Sequence, residues 1–89
     1  MKTQLTPFQL DLVMAGFDPS YSKVINGVEI PRAHFNLIVA RQDLYKWAKG
    51  IRPNPSWKVG DVKKYFGING RPDSMVEQID QLFAEHFSV

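Results

Sequence analysis

The dipeptide Asn26-Gly27 stands between two short runs rich in β-branched residues, residues 23–25 and 28–30. A two-residue hairpin turn needs a positive φ at both central residues, and Asn-Gly adopts that conformation more readily than most pairs. The pattern therefore predicts a β-hairpin over about residues 23–30. Because two isolated strands are only marginally stable in water, this hairpin has to pack against other elements.

Proline and glycine divide the rest of the chain into four segments that carry helix start and stop signals. A chain of 89 residues forms one core, and its 44% hydrophobic content is too high for a disordered protein. We predict a single, mainly α domain over residues 1–89 with about four helices and one hairpin, in which residues 57–87 form a helix–loop–helix sub-motif. The predicted helices cover residues 7–15, 31–49, 59–66 and 72–87.

The first predicted helix is apolar on nearly every side, so it needs two surfaces to cover it. We expect one side to lie against the core, formed by Leu10, Val13 and Met14. We expect the opposite side to meet the hairpin or another chain, in a homodimer or with a protein partner. That predicted partner-binding side consists of Phe8, Leu12 and Ala15.

Helical periodicity assigns an inward face to each of the other three helices. The second helix is expected to bury Leu37, Ile38, Leu44, Tyr45 and Ala48. The third is expected to bury Val59, Val62 and Phe66, with Lys63 and Lys64 towards solvent. The last is expected to bury Met75, Val76, Ile79, Leu82, Phe83 and His86.

The residue inventory excludes most enzyme classes. The chain has no cysteine and two histidines, so it lacks a thiolate nucleophile and a cysteine-based metal site. Both histidines, His34 and His86, fall on apolar helix faces, which is typical of packed side chains rather than ligands. The sequence also contains no phosphate-binding glycine loop, dinucleotide turn or nucleophile elbow. We expect a protein that is not an enzyme and that uses no metal or cofactor.

No segment of the sequence suggests a membrane. The longest apolar run, residues 37–40, is far shorter than the ~20 residues that span a bilayer, and the N-terminal region has no signal-peptide pattern. Together with the absence of cysteine, this predicts a cytoplasmic protein, with the nucleoid or nucleus left open.

The charges are distributed unevenly along the chain. Residues 32–71 contain nine basic and two acidic residues, a net charge of +7, whereas the remainder has two basic and seven acidic residues, a net charge of −5. Such a segment either forms a face that attracts polyanions or is a solvated surface folded against the acidic last helix. The predicted nucleic-acid-binding residues are Lys46, Lys49, Arg52, Lys58, Lys63, Lys64 and Arg71. Of the aromatic residues between them, Trp47 is the best candidate for partial exposure.

The last two helices also contain a pattern of apolar and glycine positions. Gly67-Ile68 ends the third helix and Gly70 precedes the fourth, with apolar residues at Val62 and Ile79. Over residues 59–82 this arrangement resembles the SAP-type DNA-binding motif, which joins two short helices through a loop. The resemblance implies a helix–loop–helix that contacts nucleic acid. This sequence departs from the family at Pro72, where a lysine is common.

A helix-turn-helix is the competing interpretation of the same residues. In that motif the second helix lies in the major groove between phosphates. Here the second helix carries Asp73, Glu77, Asp80 and Glu85 and no lysine or arginine. Contact with nucleic acid is therefore expected from the third helix, the turn and the preceding linker.

These observations favour a small non-enzymatic protein that binds the phosphate backbone of nucleic acid, DNA rather than RNA. The alternative is a protein-interaction module or small regulatory adaptor that associates through its first helix. The two differ in whether the basic side chains gather on one face.

Overall fold

The computed structural model describes residues 5–87 and has the predicted mainly α architecture. A short 3₁₀ turn, Pro19–Tyr21, leads into the hairpin. The elements in chain order are α1 (Pro7–Ala15), β1 (Ser22–Ile25), β2 (Val28–Pro31), α2 (Arg32–Ala48), α3 (Val59–Phe66) and α4 (Pro72–Phe87). No helix within residues 5–87 has the length and apolarity needed to cross a bilayer.

Local signals position α1 and the hairpin. The Thr6 hydroxyl accepts a hydrogen bond from the Gln9 amide at 3.2 Å, and the Gln9 side chain accepts one from the Thr6 amide at 2.8 Å. This reciprocal pair is a capping box, and it fixes the first turn of α1. In the hairpin, Asn26 and Gly27 have φ values of 52° and 79°, as the predicted turn requires. Antiparallel β1 and β2 pair from Ser22 opposite Pro31 to Ile25 opposite Val28.

The core lies where α2 crosses α4 and where α1 closes over α2 and α3. The predicted inward residues of α3 and α4 are confirmed at Val62, Phe66, Met75 and Ile79, all of which are buried. Lys64 is exposed as predicted, whereas Lys63 is half-buried. The buried core consists of Phe8, Ala33, Leu37, Ala40, Leu44, Val62, Phe66, Ile68, Met75 and Ile79.

The predicted orientation of α1 was wrong, because the helix is turned by about half a revolution. Phe8 is only 1% exposed and Leu12 packs against the core, whereas the expected inward side faces out. Aromatic packing explains this orientation of α1, because the Phe8 ring lies among three other rings, at centroid distances of 6.1, 5.1 and 5.1 Å. Those rings belong to Tyr65, Phe66 and His86.

The rejected side of α1 forms a continuous apolar stripe, which we call the outward face of α1. The Phe17 amide donates to the Met14 carbonyl at 2.9 Å, so Phe17 lies in the turn directly after the helix, and we include its exposed side chain in this face. The face consists of Leu10, Val13, Met14 and Phe17, and these side chains are 49%, 51%, 38% and 83% exposed, in that order.

The inward face of α2 also differs from the prediction. Ala33 and Ala40 are buried together with Leu37 and Leu44. Tyr45, which was expected in the core, is exposed.

The Tyr45 hydroxyl bonds to a carboxylate on α4 instead of packing in the core. It donates to Asp80 at 2.8 Å, and Arg41 Nε donates to the same carboxylate at 2.7 Å. The Arg41 guanidinium also lies 4.6 Å from the centre of the Phe83 ring. This network joins α2 to α4 along the solvent side of their contact, where a tyrosine hydroxyl keeps its polar partner.

Candidate nucleic-acid interface

At the C-terminal end of α2 the chain reverses direction and turns back towards the last turn of the helix. The Ile51 amide donates to the Lys46 carbonyl at 2.9 Å, and the Gly50 amide donates to the Trp47 carbonyl at 2.9 Å. These two bonds form a Schellman motif, in which Gly50 has a φ of 83°. The motif places Ile51 and Arg52 beside Trp47 instead of continuing away from the helix.

The proline-containing linker, residues 51–58, is not helical, and it folds back on itself. Asn54 Oδ1 accepts hydrogen bonds from the Ser56 amide at 3.1 Å and from the Ser56 hydroxyl at 2.9 Å. An Nη atom of Arg52 donates to the Trp57 carbonyl at 3.2 Å. The indole rings of Trp47 and Trp57 consequently meet with their centroids 5.9 Å apart.

These contacts create a cleft of about 600 Å³ between the end of α2, the linker and the start of α3. Its floor is apolar, with two half-buried indoles, and two cationic side chains lie at its edge. We call it the tryptophan cleft. It is lined by Trp47, Gly50, Ile51, Arg52, Trp57, Lys58, Val59 and Gly60.

The structure brings some of the seven predicted binding residues together and leaves others apart. Arg52 and Lys58 line the tryptophan cleft. Lys46 and Lys49 are exposed within one helical turn of Trp47. The remaining three lie progressively further along the chain from the cleft.

Lys64 follows Gly60 by four residues and therefore lies on the same side of α3. Lys63 adjoins that side but is half-buried. Arg71 lies in the turn after α3, at the end of the helix away from Lys58. Since α3 has eight residues, those two ends are about 12 Å apart, slightly more than a Debye length at ~0.1 M salt.

None of the seven side chains is neutralised by a contacting carboxylate within the described residues. The single ion pair within 4.0 Å in residues 5–87 joins Arg41 to Asp80. The acidic α4 therefore neutralises a basic residue of α2 that is not among the predicted binding residues. The cations of the tryptophan cleft retain their capacity to bind an external anion.

A second groove adjoins the tryptophan cleft, and Trp57 and Lys58 line both. It has a volume of about 500 Å³, lies between α2 and α3, and is also lined by Asp43 and Asp61. Beside them, the Tyr65 hydroxyl donates to Asp11 at 2.6 Å and accepts from Asn36 at 3.1 Å. Burial and the bond to Asp11 raise the pKa of Tyr65 to about 12. Asp61 precedes Lys64 by three residues and is therefore its neighbour on the surface of α3, so the carboxylates of this groove adjoin the basic side of the helix.

The two histidines pack against each other, with ring centroids 5.3 Å apart. His34 Nε2 is buried without a hydrogen-bond partner among the described residues. Burial, and then the nearby His86, lower the pKa of His34, so its neutral form is favoured. Within residues 5–87 no group of three or more His, Asp or Glu side chains is placed to hold a metal ion.

No protein-family model matches this chain, and the comparisons with curated proteins and solved structures returned no match.

Sequence reasoning identified the cations but not the cleft that two of them line. The missing element was the pairing of Trp47 with Trp57, which depends on the folded-back linker. The Gly50 stop signal and the Asn54-Pro55-Ser56 turn were visible in the sequence. Each signal marks a turn locally, and only the folded linker shows that the two turns bring the indoles together.

Proposed function

We propose that this protein is a non-enzymatic nucleic-acid-binding protein that contacts the phosphate backbone around the tryptophan cleft. The observation that carries the proposal is the placement of Arg52 and Lys58 at one cleft, without a contacting carboxylate among the described residues. Lys46, Lys49 and Lys64 extend the positive charge around this centre. DNA is the proposed ligand, in agreement with the sequence-based expectation.

The proposed contacts are electrostatic and independent of base sequence. Lysine and arginine side chains neutralise phosphates and release counterions. The half-buried indoles of Trp47 and Trp57 serve mainly to hold the linker in place, so the cations are presented from a fixed loop. The acidic α4 is unsuited to a major groove, which favours backbone contact over base recognition.

The first experiment is a fluorescence anisotropy titration of labelled duplex DNA at ~50 mM salt and above. With about four to five phosphates neutralised, the logarithm of the association constant should fall against the logarithm of salt concentration with a slope near −4. An absence of binding at ~50 mM salt would overturn the proposed function.

Matched charge reversals locate the binding centre. Lys58→Glu changes a cation in the cleft, and Arg71→Glu makes the same change in charge at the far end of α3. We expect Lys58→Glu to weaken binding about tenfold or more and to reduce the salt slope by about one. Arg71→Glu should have less than about half that effect on the logarithm of the association constant, because its charge is separated from the cleft by about a Debye length. Equal losses would show that the tryptophan cleft is not the centre of binding.

A second candidate function, protein–protein interaction, is favoured by a separate observation. The outward face of α1 presents four large apolar side chains, each at least 38% exposed. Contiguous apolar patches of this kind on small domains often mark interaction sites. This function is compatible with DNA binding, since the cleft is formed by α2, the linker and α3.

A further inference from the structure

The outward face of α1 is an apolar surface suited to pairing with another helix. Leu10, Val13 and Met14 occupy positions i, i+3 and i+4, which fall on one side of α1, and Phe17 follows in the turn directly after the helix. They lie opposite the side that buries Phe8 and Leu12 against the core. The outward face therefore consists of apolar surface that the other residues of the described range, 5–87, leave exposed.

The face also lacks charge. The single charged residue of α1 is Asp11, and its carboxylate accepts a hydrogen bond from Tyr65 on the inward side, at 2.6 Å. A second copy of the same face would meet it without like-charge repulsion. Charge-poor, apolar interfaces of this type are typical of homodimers.

We infer that the outward face of α1 binds the same face of a second copy of this chain, with the two helices antiparallel about a twofold axis. In that arrangement Leu10 of each copy lies near Phe17 of the other, and Val13 and Met14 lie near the axis. An isologous contact of this kind closes on itself and leaves no further apolar face to propagate. The inference rests on the second candidate function and is independent of nucleic-acid binding.

The available area is that of a small, reversible interface. At about 150–200 Å² for a fully exposed large side chain, the exposed fractions leave roughly 350–450 Å² of apolar surface on each chain. Two copies with their flanking atoms then bury about 1,000 Å², at the lower end of specific protein interfaces. An interface of this size is typical of weak, transient association.

Analytical ultracentrifugation of the full chain over ~1–300 µM tests the inference, because this range covers dissociation constants expected for weak dimers. Val13→Glu places a charge near the axis, and Ile51→Glu makes a matched change at an aliphatic residue of similar exposure, 55% against 51%, outside the face. We expect the wild type and Ile51→Glu to dimerise, and Val13→Glu to raise the dissociation constant at least about tenfold. Circular dichroism confirms that both variants are folded.

A second measurement identifies the face directly. The chain contains no cysteine, so Val13→Cys introduces a single thiol near the proposed axis. Mild oxidation should link two copies of Val13→Cys through a disulfide far more completely than two copies of Ile51→Cys. Equal cross-linking of the two variants would overturn the proposed arrangement.

Other results of these experiments also test the inference. A wild-type monomer over the whole concentration range, or a dimer unaffected by Val13→Glu, would overturn the inference. A monomer that still binds DNA would overturn this inference alone. Loss of DNA binding in Lys58→Glu with the dimer intact would support the independence of the two surfaces.

Discussion

Gly67 ends α3 at a point where two constraints meet. Its φ of 67° lies in the left-handed region, and a Cβ at this position would lie 2.6 Å from the Thr6 Cγ2 atom. Thr6 is the N-cap of α1, and its hydroxyl is held by the Gln9 amide. Rotating the Thr6 side chain away from the new methyl group would therefore break the cap.

The cost of Gly67→Ala follows from these two constraints. The left-handed backbone costs an alanine about 1–2 kcal/mol. Overlap with a stiff β-branched neighbour, or loss of the cap, adds about 1–2 kcal/mol. We expect Gly67→Ala to lower the free energy of unfolding by about 2–4 kcal/mol. At about 4–8 °C per kcal/mol, that corresponds to a fall in melting temperature of at least 8 °C.

Two comparisons separate the contributions in urea and thermal unfolding experiments. Gly50 has a φ of 83° and open space around its missing Cβ, so Gly50→Ala measures the backbone cost alone. Thr6→Ser deletes the Cγ2 atom and keeps the capping hydroxyl, so it should restore about 1 kcal/mol or more to Gly67→Ala. The reasoning would be refuted if Gly67→Ala cost no more than Gly50→Ala, or if Thr6→Ser gave no recovery.

Three further predictions concern the core and pH. Phe66→Ala and Ile79→Ala should each cost about 3–5 kcal/mol in urea unfolding, and Leu82→Ala less because that side chain is only half-buried; equal costs would contradict the assigned burial. The pKa of His34 is lowered in the folded protein, so the unfolded chain binds more protons and stability should fall as pH drops below about 6.5; a pH dependence unchanged in His34→Phe would contradict this assignment. The pKa of Tyr65 is raised from 10.0 to about 12, so its stabilising contribution should be lost as pH rises through that interval; an ordinary tyrosinate titration in ultraviolet absorbance would contradict it.

Local chemistry made much of the fold predictable. Asn26-Gly27 specified the hairpin, and the sequence from Thr6 to Gln9 specified the start of α1, because in each case a few adjacent residues satisfy one another's backbone groups. Gly67 likewise marked the end of α3 through its left-handed conformation. These features need no information about distant parts of the chain.

The orientation of α1 was not predictable in the same way. Apolar residues surround this helix, so no polar side indicates which residues face solvent. The choice depends on the shape of the space among Tyr65, Phe66 and His86, which exists only in the assembled core. Tyr45 was misplaced for a related reason, since its carboxylate partner, Asp80, is distant in sequence.

The candidate site, like the fold, was predictable from the sequence only in part. Composition identified the cations, and the glycine and proline signals indicated the turns around Gly50 and Pro55. The pairing of Trp47 with Trp57 required both turns to act together. Whether Arg52 and Lys58 share a surface is therefore a property of the folded linker, which residue spacing does not specify.

The burial of Phe8 has a consequence for the nascent chain. The aromatic rings that receive it come from α3 and from the end of α4, so they are synthesised long after the residues of α1. At about 5–20 residues per second, the segment that becomes α1 waits for several seconds with its apolar side chains in contact with water. Docking of Phe8 becomes complete only when the last helix has been synthesised.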